Sequence, residues 1–288
     1  MHLTKMHGIG NDSIYVNCFE ETVDNPEELS IKLSRRHYSV GSDGLVLIMP
    51  SDKADFRMRI FNADGSEAKM CGNATRCIGK YVYERGLTNK TSITLETNSG
   101  IKKLSLTVNN GKVAEIEVDM GKVILKPSEI PVSAAGDDYI NRPLEINGVT
   151  YGVTCVSVGN PHAVVFVNDT ESVDIEKTGP LFENNPIFPD RINTEFIQVI
   201  DDHTLKMRVW ERGSGETYAC GTGACASVAA AVLNNICPHD SEITVMLKGG
   251  NLKITYKSDG TIMMKGGASF VYDGIISDEF LMSEFLHP

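Results

Sequence analysis

Nowhere in the chain do eighteen apolar residues run together, although 41% of its 288 residues are apolar. A helical membrane span is therefore not expected, and the protein is read as having no membrane partner. The opening stretch MHLTKMHGIGNDSIYV also lacks the basic start and apolar core of a signal peptide, so the expected location is cytoplasmic. Clusters of Lys and Arg are missing too. With 27 basic residues against 38 acidic ones the formal net charge is −11, which argues against nucleic acid as a partner. The seven cysteines are scattered and form no CxxC pair. Neither a disulfide framework nor a zinc site is expected, and free thiols in a reducing compartment fit best. Low-complexity segments are absent, so the whole chain is read as folded, in one large domain or two of about 140 residues.

What the sequence does contain is a repeat. MRIFNADGSEAKMCG, from Met58 to Gly72, lies without a gap over MRVWERGSGETYACG, from Met207 to Gly221. The offset of 149 matches Arg59 with Arg208, Glu67 with Glu216, Cys71 with Cys220 and Gly10-Asn11 with Gly159-Asn160. With one further residue, ITLETNSGIKKL from Ile93 falls over ITVMLKGGNLKI from Ile243. A period near half the chain points to two equivalent halves rather than a solenoid.

Short alternating runs such as DFRMRIFN, TLKMRVWE and VAEIEVDM read as half-buried strands, and GLVLIMP, HAVVFVN, TEFIQVI, KLSLTV and LKITYK add others. Helices are few. Residues 26–37 form one candidate, opened by Pro26 with Glu27 and Glu28 behind it. The other two follow Cys71 and Cys220, and CASVAAAVLNN is apolar on nearly every face. A helix apolar all round must be wrapped. The expected fold is α+β: two pseudo-symmetric domains, each a strongly curved mixed sheet around a central apolar helix, with the active site in the cleft between them. The expected boundaries are 1–119 with 272–288 for the half carrying Cys71, and 120–271 for the half carrying Cys220.

Both cysteines then stand at helix N-termini, where unpaired N–H groups and the positive dipole end favour an anion and draw a thiol toward neutral pKa. The same groups suit a carboxylate, and Gly72-Asn73 and Gly221-Thr222 let a ligand come close to the backbone. A single cysteine ahead of an apolar helix is most often a small buried hydrophobe. Two of them at one offset, with matching flanks, favour function. Two such ends facing one α-carbon would suit racemisation, which needs a base on one face, an acid on the other, and stabilisation of the charge formed between the two transfers. Cys77 and Cys225 are read as core residues.

KMHGIGND, FNADGSEAKMCGNATRC, VGNPHAV, RINTEF and ERGSGETYACGTGACAS together resemble the diaminopimelate epimerase family over nearly the whole chain. The resemblance implies a cofactor-independent isomerase interconverting LL- and meso-2,6-diaminopimelate, on the path to lysine and peptidoglycan, as a possible homodimer. It makes Cys71 and Cys220 the acid/base thiols, with Gly72, Asn73, Gly221 and Thr222 around the reacting carboxylate. Asn11, Asn62, Asn160, Asn193, Glu211 and Arg212 match substrate-binding positions, and His162 and Glu211 match positions that assist catalysis. The chemistry agrees, since a guanidinium fork suits a carboxylate and a Glu suits an ammonium.

Two departures stand out. Gly44 and Ser13 occupy places where Gln and an aromatic residue are common in the family. Three rival functions remain at this point: a racemase of another amino acid, of histidine or proline type, a thiol redox protein, or a module that binds a carboxylate without exchanging a proton.

Overall fold

Alternation in the sequence becomes strand wherever β-branched and aromatic residues recur between Gly, Asn and Asp turns. The computed structural model describes residues 1–282. In chain order they form β1 (His2–Gly8), β2 (Asn11–Asn17), α1 (Pro26–Ser34), β3 (Gly44–Met49), β4 (Phe56–Asn62), β5 (Glu67–Ala68) and α2 (Gly72–Glu84). There follow β6 (Ser92–Thr97), β7 (Gly100–Asn109), β8 (Lys112–Lys122), β9 (Tyr139–Ile146), β10 (Val149–Ser157), β11 (Pro161–Phe166) and α3 (Ile175–Glu183). The remainder is β12 (Asn193–Asp201), β13 (Thr204–Glu211), β14 (Gly215–Glu216), α4 (Gly221–Leu233), β15 (Glu242–Leu247), β16 (Gly250–Tyr256), β17 (Thr261–Gly266), β18 (Ser269–Ile275) and α5 (Asp278–Met282).

Two units divide the chain: Met1–Val118 with the segment from Gly267 onward, and Asp119–Gly266. Residues 283–288, the end of the expected first half, lie outside the described residues. In the first unit β18 pairs antiparallel with β1, β1 antiparallel with β2, β2 parallel with β3 and β3 antiparallel with β4. β4 then runs parallel to β6, which leads antiparallel to β7 and β8. Unit two repeats this order, from β9 through β10, β11, β12, β13, β15 and β16 to β17, with the same sense at each step. The last strand of the first unit, β18, thus takes the place that β9 takes in the second.

Each unit holds one of the two repeated helices against its strands. α4 meets β10 to β13 and β15 to β17, and nearly all of it is buried. Its Ala, Gly, Ser and Cys residues let strands approach from every side, and burying Val228 and Val232 contributes about 1.5–3 kcal/mol each. α2 packs on β1 and β7; a Cβ on its Gly79 would stand 3.1–3.3 Å from Leu104, Leu106 and Ile116. Glycine there keeps the helix close to the sheet.

The ion pairs repeat as well. Arg59 donates Nε to Glu67 at 2.9 Å, and Arg208 donates Nε to Glu216 at 2.7 Å. These partners join β4 to β5 and β13 to β14, the short strands that lead into α2 and α4.

Three helices differ from expectation, the short α5 being one that was not expected. α1 stops at Ser34 because Arg35 turns extended (φ −65°, ψ 107°) and His37 takes φ +71°. α3 was not expected at all, since Pro180 lies inside it and removes one backbone donor. Its side chains compensate: Phe182 is fully buried and packs edge-on against Tyr151 and Phe196.

Candidate active site

The first half-site grows from the β1–β2 turn and the start of α2. Ile9 and Gly10 both have positive φ (49° and 90°), which matches a two-residue hairpin turn. A β-branched residue is strained there, and the strain sits beside Asn11. Asn11 donates Nδ2 to Asp43 Oδ2 at 3.1 Å, and its Oδ1 accepts the Cys71 thiol at 3.7 Å. Cys71 is extended (φ −138°, ψ 120°), partly exposed, and caps α2. Behind it Arg76, fully buried, donates to Asn73 Oδ1 at 2.7 Å, to the Gly72 carbonyl at 3.3 Å and to the Gly267 carbonyl at 3.2 Å. Cys77 lies in the core, and burial pushes its thiol up to about 11.

Asn62 stands apart from this group, donating to the Ser66 hydroxyl at 2.9 Å in the turn after β4. Opposite it in the ladder is Gly44. A Cβ at Gly44 would come within 2.2 Å of the Phe61 carbonyl, so the close approach of β3 to β4 accounts for this departure from the family pattern.

The second half-site is built on β11, β12, β13 and the start of α4. Cys220 is extended, 4% exposed, and its sulfur accepts the Gly223 N–H at 3.3 Å, with the Thr222 hydroxyl at 3.6 Å. Asn193 bridges two neighbours, donating to the Pro161 carbonyl at 2.8 Å and accepting the Arg212 N–H at 2.9 Å. Arg212 Nη1 donates to the Asp190 carbonyl at 2.7 Å, which fixes the direction of its guanidinium. Glu211 accepts the Thr217 hydroxyl. His162 is fully buried between Glu195, 2.7 Å from Nδ1, and Asn160, 3.0 Å from Nε2.

A helix N-terminus alone would lower the Cys220 thiol. Here burial pushes it well above its ordinary range, and the Glu211 and Glu195 carboxylates add to the shift, outweighing Thr222 and the Gly223 N–H. The expectation of a near-neutral thiol therefore fails at Cys220, because desolvation exceeds the pull of a few N–H dipoles. Burial likewise raises the Glu211 carboxyl, against the Thr217 hydroxyl and His162.

Residues 3–126 and 154–271 match the family model described as diaminopimelate epimerase. The chain belongs to the diaminopimelate epimerase family. Relatives carrying that family name include one from Acetivibrio thermocellus, 57% identical, covering 95% of this chain and 98% of its own. Another, from Agathobacter rectalis, is 54% identical over 96% and 99%. Among solved structures, a probable proline racemase from Agrobacterium radiobacter superposes with a TM-score of 0.74 at 13% identity, covering 97% of this chain and 94% of its own. That likeness concerns the fold alone. The mixed, sheet-dominated architecture of two units is the one this epimerase-like fold shares.

Among the described residues no cysteine is joined in a disulfide. Among the described residues no group of His, Cys, Asp and Glu could hold a metal, and no helix is long and apolar enough to cross a membrane. Two buried groups escape the sequence reading. Arg76 follows Cys71 by five residues and reads as a helix-surface cation. Glu195 lies within RINTEF, where alternation suggests an outward side chain, but β12 is covered on both faces through Ile197.

Proposed function

We propose that the protein interconverts LL- and meso-2,6-diaminopimelate by two-thiol proton transfer, with Cys71 and Cys220 acting on opposite faces of one α-carbon. The observation that carries this reading is the doubling of the N-terminal cysteine: each stands at the N-cap position of an equivalent helix in an equivalent unit of a family-matched chain. In one direction Cys71 as thiolate takes the α-proton. Charge spreads into the substrate carboxylate, where Gly72, Asn73, Gly221 and Thr222 supply donors from the two first turns. Cys220, whose environment favours the protonated form, then gives its proton to the other face. The opposite isomer uses the reverse protonation state.

Asn11, Asn160, Asn193, Glu211 and Arg212 fit the rest of the substrate by their chemistry: Arg212 as a carboxylate fork, Glu211 as an ammonium partner, the amides as either. Asn62 belongs to the same proposal through the family pattern, although its side chain bonds the Ser66 hydroxyl. The homodimer and the cytoplasmic location are also proposals, the first open to sedimentation analysis. Incubation of the reduced protein with LL-diaminopimelate in deuterated water tests the activity. Deuterium at the α-carbon together with meso product is expected. Free thiols with neither exchange nor product would reject the reading.

A further inference from the structure

β11 and β12 run parallel with His162 opposite Asn193, so Glu195, two residues further along β12, shares the face of His162 and lies diagonal to it. Glu195 is fully buried. One carboxylate oxygen meets His162 Nδ1 at 2.7 Å, and the other has no hydrogen-bond partner among the described residues. A buried carboxylate oxygen left without a partner is costly, a cost that a scaffold role does not require. The same parallel step in the first unit pairs Ser13 with Gly44 and puts Val46, also fully buried, in the place of Glu195. The fold accepts an apolar residue at this point. Glu195 also lies against the start of α4: a Cβ on Gly223, whose N–H holds the Cys220 sulfur, would stand 2.7 Å from Glu195 Oε1.

We infer that Glu195 is a positioning residue of the second half-site: it accepts the Nδ1–H of His162 and so fixes Nε2 of the ring against the Asn160 amide. This rests on the two-thiol reading above, since Asn160 and Cys220 are the groups served. A ring nitrogen aimed at a carboxylate must carry a proton to bond it. With Nδ1 so occupied, the ring cannot rotate or change tautomer without breaking a charge-assisted bond. Nε2 of a ring that carries its proton on Nδ1 accepts, so the Asn160 amide, 3.0 Å away, turns its NH2 to the ring and its oxygen toward a ligand. Burial keeps water from competing for either bond.

The test is nuclear magnetic resonance of histidine-15N-labelled full-length protein, with His162→Gln to assign the ring, beside kinetics of Glu195→Gln. In the unaltered protein Nδ1 of His162 should carry a proton resonating well downfield of the other histidines. Glu195→Gln should move that proton upfield and lower kcat/KM for LL-diaminopimelate about tenfold. In the His162→Gln background the same change should cost less than about twofold, because a residue acting through another adds little once that one is gone. A wild-type ring protonated on Nε2 alone overturns the inference, even where Glu195→Gln fails to fold. So does a Glu195→Gln penalty that multiplies fully with that of His162→Gln. A protein that moves no α-proton would defeat the two-thiol reading instead, while the ring spectrum still decides the contact between Glu195 and His162.

Discussion

Ser13 and Val46 in the first unit occupy the ladder positions that His162 and Glu195 occupy in the second, and Arg76 of α2 answers to Cys225 of α4. The backbone plan is the same, and so are the thiols at the helix starts. What lies behind each thiol is opposite in kind: a buried guanidinium by Cys71, a buried carboxylate and imidazole by Cys220. Asn11 and Asn160 follow the same division. Asn11 has its NH2 held by Asp43 and its oxygen toward Cys71, whereas Asn160 has its side-chain amide against His162. The scaffold needs neither arrangement, as each unit does without the other's. The differences are therefore not demanded by the fold, and the two-thiol proposal, in which like thiols play unlike parts, gives them a use.

Serine at either cysteine gives the largest expected effect. Cys71→Ser and Cys220→Ser should each reduce epimerisation about a thousandfold or more, since a hydroxyl cannot supply the base or acid. Chiral separation of product would measure this, and full activity in either variant would break the equivalence of the two halves.

Alkaline pH comes next. Buried thiols keep their protons in the folded protein where the unfolded chain has lost them, so their stabilisation is whole below about pH 9 and falls as pH rises further. Cys77, raised to about 11, accounts for about 3 kcal/mol of this loss once pH passes that value. Cys155 and Cys220 shift the same way in the second unit. Urea unfolding between pH 8 and 10.5 should show a steady decline, less steep in Cys77→Ala; a flat profile would contradict the burial of these thiols.

Arg76→Leu removes the donor that holds Asn73 Oδ1 and two carbonyls, at a cost of about 2–3 kcal/mol. Cys225→Ala, at the matching place, should cost about 1 kcal/mol. Equal shifts in the urea midpoint would show that the guanidinium has no special place in the first unit.

The smallest effect separates the repeated ion pairs. Arg59→Gln should cost about 0.5 kcal/mol, its pair being the more exposed, and Arg208→Gln about 1–2 kcal/mol, because Arg208 also holds the Thr170 and Val173 carbonyls. Thermal unfolding of the two variants side by side would reveal the reverse order if the match were only formal.

The sequence by itself determined the repeat, most strands, and both thiols at helix starts. These are local or periodic facts: alternation of period two, a Cys-Gly pair before an apolar run, one offset shared by distant stretches. Family membership was legible for the same reason, through motifs that keep their spacing. Burial and partnership were decided only by tertiary structure. Nothing around Glu195 in RINTEF reveals that both faces of its strand are covered. Nothing around Arg76 reveals that its guanidinium turns inward to Asn73. The Cys220 thiol shows the limit most plainly, since its helix start is readable and argues for a lowered pKa. Its desolvation, and the approach of Glu211 and Glu195, come from strands closing over it, and those long-range terms outweigh the local dipole.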